Sequence, residues 1–600
     1  MIGSLAIVLH AHLPWVRHPE HDRFLEEYWL FEAVAECYLP LLRQIRGWDR
    51  DRVDWRLSVG VSPTLVAMWS DPLLRSRTRR YLMERRELAR SECERTTLLP
   101  PQQSVARFHA GFFDQVWQEW MACGEDLVGA FSLWARTGRL ELLGGPATHP
   151  ILPLLAGEPG SLQAQLALGL GEHARHFGAR PAGLWLPECA WAPALERPLI
   201  AHGVSHGVLE THGILRGTPP SPTSVFLPVR SPGGLTFFGR DPWSARQVWS
   251  RQVGYPGDPR YREFHSDLAD EAEWESVSRF LSGAGVRSPS GLKYRRVTGG
   301  DSEKEWYDRS AALHAVQGHV LHFLLNRRHQ LRLAGEALTR PPVAVVPYDA
   351  ELFGHWWFEG PEFLDLVMRQ ASGFGIVPET LSAASAANHE AWSSQPAESS
   401  WGAGGHLGVW LDPSNADLQP RLRSAGSRMT AVARVAAAAG GSRGLLLRDW
   451  ARKAGRELML AQASDWPFLI RMGTAAAYAR RRVDAHLEAF ERLARGVLDG
   501  GDPGGGTLAH RRWPGEGFPE PDLSSWTGRM FNEGASHRAS VGIVRSPHRR
   551  DRVAVTASPG NLSRIPQDDR RRSNSGVDDS FPGSFESPRP RHRNLNTPSA

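Results

Sequence analysis

Six hundred residues exceed what a single hydrophobic core organises, so two or more domains are expected. An apolar fraction of 41% with 22% charged residues is that of a water-soluble globular chain, and no run of about 18 apolar residues is present to span a membrane. The net charge of +5 comes almost wholly from arginine, with Lys293, Lys304 and Lys453 as the lysines, and is too small for this length to argue for a nucleic-acid partner. Cys37, Cys93, Cys123 and Cys189 are scattered without a CxxC spacing, which predicts reduced thiols in a cytoplasmic protein. The opening Met1-Ile2-Gly3-Ser4 lacks a basic region and its apolar run stops at His10, unlike a signal peptide.

In chain order, Leu5 to Leu9 reads as a short apolar strand ending in His10-Ala11-His12. Alternate strand residues share a face, so the two imidazoles point the same way at the C-terminal end, where parallel α/β sheets and barrels bind ligands. They could be metal ligands or neutral donors to sugar hydroxyls, and spacing fixes no third ligand. Phe24 to Leu42 has helical periodicity, and Asp54 to Val61 is a second strand, closed by Ser62-Pro63. From Pro72 to Gly138 the pattern is long, charged and helical, which predicts a helical insertion with an ion-paired outer face.

Leu140 to Leu143 is a strand running into Gly144-Gly145-Pro146-Ala147-Thr148-His149, Gly183 to Leu186 is another running into Pro187-Glu188, and Val204 to Leu209 a third closing on Glu210-Thr211-His212. Polar groups after successive strands are what the catalytic face of a barrel looks like. Between Gly239 and Asp267 the Gly and Pro content predicts an irregular stretch, with Tyr255 as either the tip of a lid or a packed turn aromatic. Asp308 to Leu338 reads as a long helix, and Val343 to Val346 as a buried parallel strand. That strand delivers Asp349, Glu351, His355, Trp356 and Trp357 together. Carboxylates beside flat indoles suggest sugar chemistry: the first supply acid, base or nucleophile, the second cover the apolar faces of pyranose rings.

Past Gly373 the alternation ends. Ala383 to Ala397 reads as a connecting helix and linker, Trp401 and Trp410 as loop aromatics, and 421–439, 445–465 and 473–498 as helices of an α domain, with Asp465-Trp466 at a helix end. From Asp499 the composition turns to Gly, Pro, Ser and Arg, and 528–600 is expected to be disordered.

Five motifs occur in fixed order: HAHLPWVRHPE from His10, GGPATHP from Gly144, WLPECAW from Trp185, PYDAELFGHWWFEG from Pro347 and SDWPF from Ser464. QVWS from Gln247, GYPGDPRYREF from Gly254 and SSWG from Ser399 add to them. Together they resemble glycoside hydrolase family 57, and within it the α-1,4-glucan branching enzymes. The resemblance implies an incomplete (β/α)7 TIM-like barrel over 1–385, with a helical insertion over 72–139, and a C-terminal helical domain over 386–527. It implies Glu188 as nucleophile and Asp349 as general acid/base, with the pKa of Asp349 raised by the neighbouring Glu188 charge and by tryptophan burial. It places His10, His12 and His149 around the donor sugar, and Trp356, Trp401, Trp410, Asp465 and Trp466 over the cleft. Arg262 and Gly291 come from matching stretches, and Tyr255 from the lid. The implied substrate is an α-glucan such as amylose or glycogen, with no metal, organic cofactor, nucleic acid or membrane involved. The alternatives are a family α-amylase or 4-α-glucanotransferase with the same carboxylates, a catalytically silent glucan-binding module, and a zinc-dependent deacetylase or mannosidase built on the His pair.

Overall fold

A computed structural model of the chain describes residues 2–250, 253–281, 288–299, 303–500 and 513–528. Apart from Gly528, the expected disordered tail lies outside the described residues. The strands are β1 (Gly3–Ala11), β2 (Leu57–Val61), β3 (Leu140–Leu143), β4 (Gly183–Leu184), β5 (His206–Leu209), β6 (Val229–Arg230), β7 (Thr236–Gly239), β8 (Val343–Asp349), β9 (Ile376–Pro378) and β10 (Trp392–Ser393). The fold is α/β. In one sheet β3, β2, β1 and β8 run parallel in that order, with β9 beside the start of β1; in the other β4, β5 and β7 are parallel, with β6 antiparallel to β7 and β10 on β6.

Two single bridges link the sheets edge to edge. Gly144 pairs with Leu184 beyond the end of β3, and Arg240 pairs with Val345 beyond the end of β7. The parallel strands β1, β2, β3, β4, β5, β7 and β8 therefore follow one another by pairing and return to β1. All of β1 and all but the last residue of β8 are buried, which is why both read as unbroken apolar runs. Register pairs His10 with Asp349 and with Gly60, so the strand ends that carry polar residues lie level.

Helices fill the intervals much as periodicity predicts. Pro72–Arg95, Pro100–Ala122 and Leu127–Ala135 form the insertion, and Arg309–Ala337 starts at Asp308, whose side chain accepts from Ser310 N–H and Ala311 N–H. Phe24 to Leu42 is less regular than a single helix, because Val34–Tyr38 is a π-turn between two α-helical stretches. One expectation is corrected. Pro242–Trp249, inside the stretch read as irregular, is a helix started by Asp241 accepting from Ser244 N–H, with proline in its first turn; the Gly and Pro cluster begins only at Gly254. After the strands, Leu418–Ala438, Gly441–Ala461, Asp465–Met472 and Ala476–Asp499 pack together as helices.

The helix Pro159–Phe177 fixes the loop after β3. Gln165 takes the N–H of Ala147 on its main-chain oxygen at 2.9 Å and that of Thr148 on its side-chain oxygen at 3.0 Å. This approach requires Gly169, where a Cβ would meet the Gly145 oxygen at 2.2 Å and Ala147 N at 2.7 Å. Gly169→Ala is expected to cost about 1–3 kcal/mol, seen as a lower melting midpoint. On the same helix Gly171 faces open space, and Gly171→Ala is expected to stabilise by up to about 1 kcal/mol.

Candidate active site

The polar strand ends converge on one enclosed centre. His10 and His12 leave β1 with rings stacked at 5.6 Å, as alternation predicts. His149 comes from the loop after β3, its ring 3.9 Å from that of His12 and its Nε2 2.9 Å from Nε2 of His10. Trp185 stacks on His10 from the other side at 4.6 Å. Burial, together with the neighbouring imidazoles, lowers the pKa of His10 and His149 well below the usual histidine value, so both rings are neutral donors and acceptors. The sequence left metal ligation open, and the structure brings a third group, Asp465, near His12 and His149. The two rings lie face to face at an interplanar angle of 21°, so their in-plane lone pairs run side by side instead of converging.

Asp465 begins the short helix of the C-terminal bundle, and both its oxygens lie 3.1 Å from His12 Nε2. His12 Nδ1 is held by Ser62 Oγ at 2.8 Å. The preceding Ser464 takes hold of His149 twice: its hydroxyl lies 2.8 Å from Nδ1, and its N–H donates to the His149 carbonyl at 3.1 Å. Thr148 Oγ1 donates to the Met459 carbonyl. The bundle is thus stitched to the strand ends at the histidine cluster.

Glu188 follows β4 in a 3-10 turn with φ 60° and ψ 24°, and Cys189 and His149 are also left-handed, at φ 49° and 57°. Non-glycine residues persist there only when their surroundings hold them, and such positions cluster at functional sites. The hold on Glu188 comes from Trp401, whose N–H donates to the Glu188 carbonyl at 2.9 Å and whose indole Nε1 donates to Oε2 at 2.5 Å. An antiparallel bridge between Trp191 and Ser399 fixes that segment.

Asp349 ends β8 and is half-buried. Burial pushes its pKa up to about 6, against the opposing pull of His12 and Arg240. Glu188 is pushed higher, to about 8, by burial first and then by the charges of Asp349 and Asp465, with the Trp401 N–H acting the other way. Burial raises Asp349, as expected, and the repulsion between the two carboxyls raises Glu188. Glu351, which sequence reasoning named only in passing, is also buried and raised to about 8, burial again leading. Its Oε1 accepts from His12 N–H at 3.1 Å and from the Tyr38 hydroxyl, tying the ends of β8 and β1 together.

Other expected site residues stand further back. Tyr255 is a packed aromatic, not a lid tip: it is 6% exposed, stacks on His319 at 4.6 Å and hydrogen-bonds His322 through its hydroxyl. Trp410 and Trp466 are 2% and 0% exposed, so neither offers a free face to a sugar; Trp410 fills the space over Gly402, and Trp466 donates to the Leu460 carbonyl. Arg262 lies over Phe358 and donates to Glu36, which also holds His355. Gly291 has φ 72° and gives its N–H to Asp267. Trp356 is half-buried against Phe264 and His355. Ser62, Trp185, Ser464 and Arg240 were not singled out as site residues: Trp185 and Ser464 open two of the motifs, Ser464 adjoins Asp465 and Ser62 closes the second strand, whereas nothing in the sequence marked Arg240.

Residues 6–285 match the family described as Glycosyl hydrolase family 57, and residues 421–526 match 1,4-alpha-glucan branching enzyme, C-terminal. A 1,4-alpha-glucan branching enzyme of Thermococcus kodakarensis is 32% identical over 531 residues, covering 83% of this chain and 74% of that protein. Among solved structures, the alpha-amylase AmyC of Thermotoga maritima is 34% identical with a TM-score of 0.77, over 83% of this chain and 94% of that one. The GH57-type branching enzyme of Pyrococcus horikoshii is 31% identical with a TM-score of 0.73, over 83% and 91%. The chain belongs to glycoside hydrolase family 57.

Between about pH 6 and about 8 the Asp349 and Glu188 pair holds one proton. Below this window both carboxyls are protonated and neither can attack; above it both are ionised and neither can donate. A bell-shaped kcat/KM profile with limbs near these two values is expected from initial rates across pH. Trp401→Phe removes a donor to ionised Glu188 and is expected to move the upper limb to higher pH.

Proposed function

We infer that the protein is a 1,4-α-glucan branching enzyme, a glycosyltransferase that breaks an α-1,4 bond and rebuilds the glycosidic bond as an α-1,6 branch. The match of residues 421–526 to the C-terminal region of branching enzymes carries this reading. Its weight lies in where that region sits, because the same bundle is joined to Ser464 and Asp465, which hold His149 and His12.

In this reading the seven parallel strands that return to β1 are an incomplete (β/α)7 TIM-like barrel spanning 1–385, with the insertion at 72–139. The helical domain spans 386–527. Glu188 is the nucleophile and Asp349 the general acid/base. The glycosidic oxygen of a bound chain accepts a hydrogen bond from Asp349 and so draws the shared proton there, leaving Glu188 ionised with the Trp401 N–H on its Oε2. Glu188 attacks the anomeric carbon as Asp349 gives its proton to the departing oxygen, which yields a covalent glycosyl ester and a shortened chain. Asp349, now a base, takes the proton of an acceptor 6-hydroxyl. That oxygen displaces Glu188, and two inversions leave the α configuration retained. His10, His12, His149 and Asp465 give the donor sugar a ring of hydrogen-bonding groups. The acceptor and donor are α-glucans of the amylose and glycogen type, handled in the cytoplasm, in keeping with four cysteines that form no disulfide.

A second reading, α-amylase activity, draws on the likeness to AmyC. It uses the same carboxylates, with water in place of the 6-hydroxyl. Amylose treated with the enzyme separates the two. Branching lowers iodine absorbance without new reducing ends, and isoamylase then releases short chains; a fall in absorbance matched by reducing sugar means hydrolysis. Glu188→Gln and Asp349→Asn are each expected to lower the rate at least about 10³-fold. A Glu188→Gln protein that branches like wild type would remove Glu188 from the mechanism.

A further inference from the structure

We propose that Arg240 is a positioning residue for Glu188, acting through Trp401: clamped by Glu210, its guanidinium supports the indole whose N–H is given to the nucleophile. The proposal rests on Glu188 being that nucleophile.

Arg240 follows β7 directly, and its main chain is fixed on two sides. Its N–H donates to the Leu209 carbonyl at 2.9 Å, its carbonyl accepts from Thr211 Oγ1 at 2.8 Å, and it bridges to Val345 of β8. The side chain is just as confined. It is 5% exposed, and Nη1 donates to Glu210 Oε2 at 2.9 Å, while the other oxygen of Glu210 takes the N–H of Thr211 at 2.9 Å. Its Nε is buried with no hydrogen-bond partner. A guanidinium enclosed with an unmatched donor is unfavourable for folding on its own account.

What the guanidinium does face is Trp401, with Cζ 5.3 Å from the ring centroid. Trp185 meets the indole edge-on at 5.1 Å. Trp249 adds a second edge contact at 6.5 Å, so three groups hold the indole, and its orientation decides whether Nε1 reaches Glu188 Oε2 at 2.5 Å. Arg240 also bears on the second carboxyl, since its charge favours the ionised form of Asp349. The other titratable groups around it are Tyr348 on β8, Cys189 after β4 and Glu210 after β5. The competing account is a plain structural ion pair that holds the ends of β5, β7 and β8 together.

The two accounts separate in a double-mutant cycle on the full-length enzyme, with kcat, KM and pH profiles for wild type, Arg240→Lys, Trp401→Phe and the double variant. Lysine keeps the charge and the partner Glu210 but lacks the planar face. Arg240→Lys is expected to lower kcat roughly 10- to 100-fold, the size of losing one hydrogen bond to a charged group, with KM changed less than about 3-fold. The upper pH limb should move up, and the double variant should be no slower than Trp401→Phe alone. Independent, multiplying losses with unmoved pH limbs would overturn the proposal. Should Arg240→Lys fail to fold, Glu210→Gln takes its place in the cycle, with the same non-additivity expected and the same additive result overturning it. A fluorinated glycosyl fluoride that traps the covalent intermediate gives the independent control. An adduct on Glu188 with additive losses defeats the Arg240 proposal alone, whereas an adduct on another residue defeats it together with the catalytic assignment.

Discussion

A carboxyl group taken out of water without a paired cation either keeps its proton or must be met by hydrogen bonds, and that requirement organises the centre of this molecule. Glu351 is buried and Glu188 and Asp349 are half-buried, and burial leads the rise in each of their pKa values. The groups that meet them come from widely separated parts of the chain: an indole N–H from Trp401 for Glu188, a main-chain N–H from His12 and a phenol from Tyr38 for Glu351. Charge compensation is partial by construction. A full ion pair would fix one protonation state, whereas a general acid/base has to give up and regain its proton within a turnover and a nucleophile has to be ionised to attack.

Much of the framework was legible because parallel strands buried on both faces have little choice of composition. β1, β3 and β8 show as apolar runs, and the histidines and carboxylates after them stand out because they interrupt such runs. β4 shows less well: its ladder is two residues long, and the following Trp185 and Leu186 are buried without strand pairing beyond the bridge to Gly144. The helix Pro242–Trp249 was hidden by reading the glycines and prolines from Gly254 back onto a stretch that starts with a good N-cap.

The site divides in the same way. Residue types that chemistry demands, Glu188, Asp349 and the three histidines, can be picked out of the sequence by type and place. The residues that orient them cannot, because serine, tryptophan and arginine are common and their partners lie far off in the chain. Nothing local to Ser464 says that it holds His149 by both hydroxyl and main chain. Aromatic richness misleads for a related reason. Trp410, Trp466 and Tyr255 sit in stretches shared with the family, yet their faces are covered by the protein itself. Local likeness can reflect packing as readily as contact with sugar.

The dependence of the histidine cluster on Ser464 and Asp465 sets an order of events during synthesis. Both proposed catalytic carboxylates emerge from the ribosome well before the bundle does, and the strands that carry them can pair without it. The histidine cluster proposed to hold the donor sugar has neither the Asp465 carboxyl nor the Ser464 grip on His149 until residues 464 and 465 are free to dock. On that proposal a nascent chain lacks a complete site until the helix that begins at Asp465 has been made.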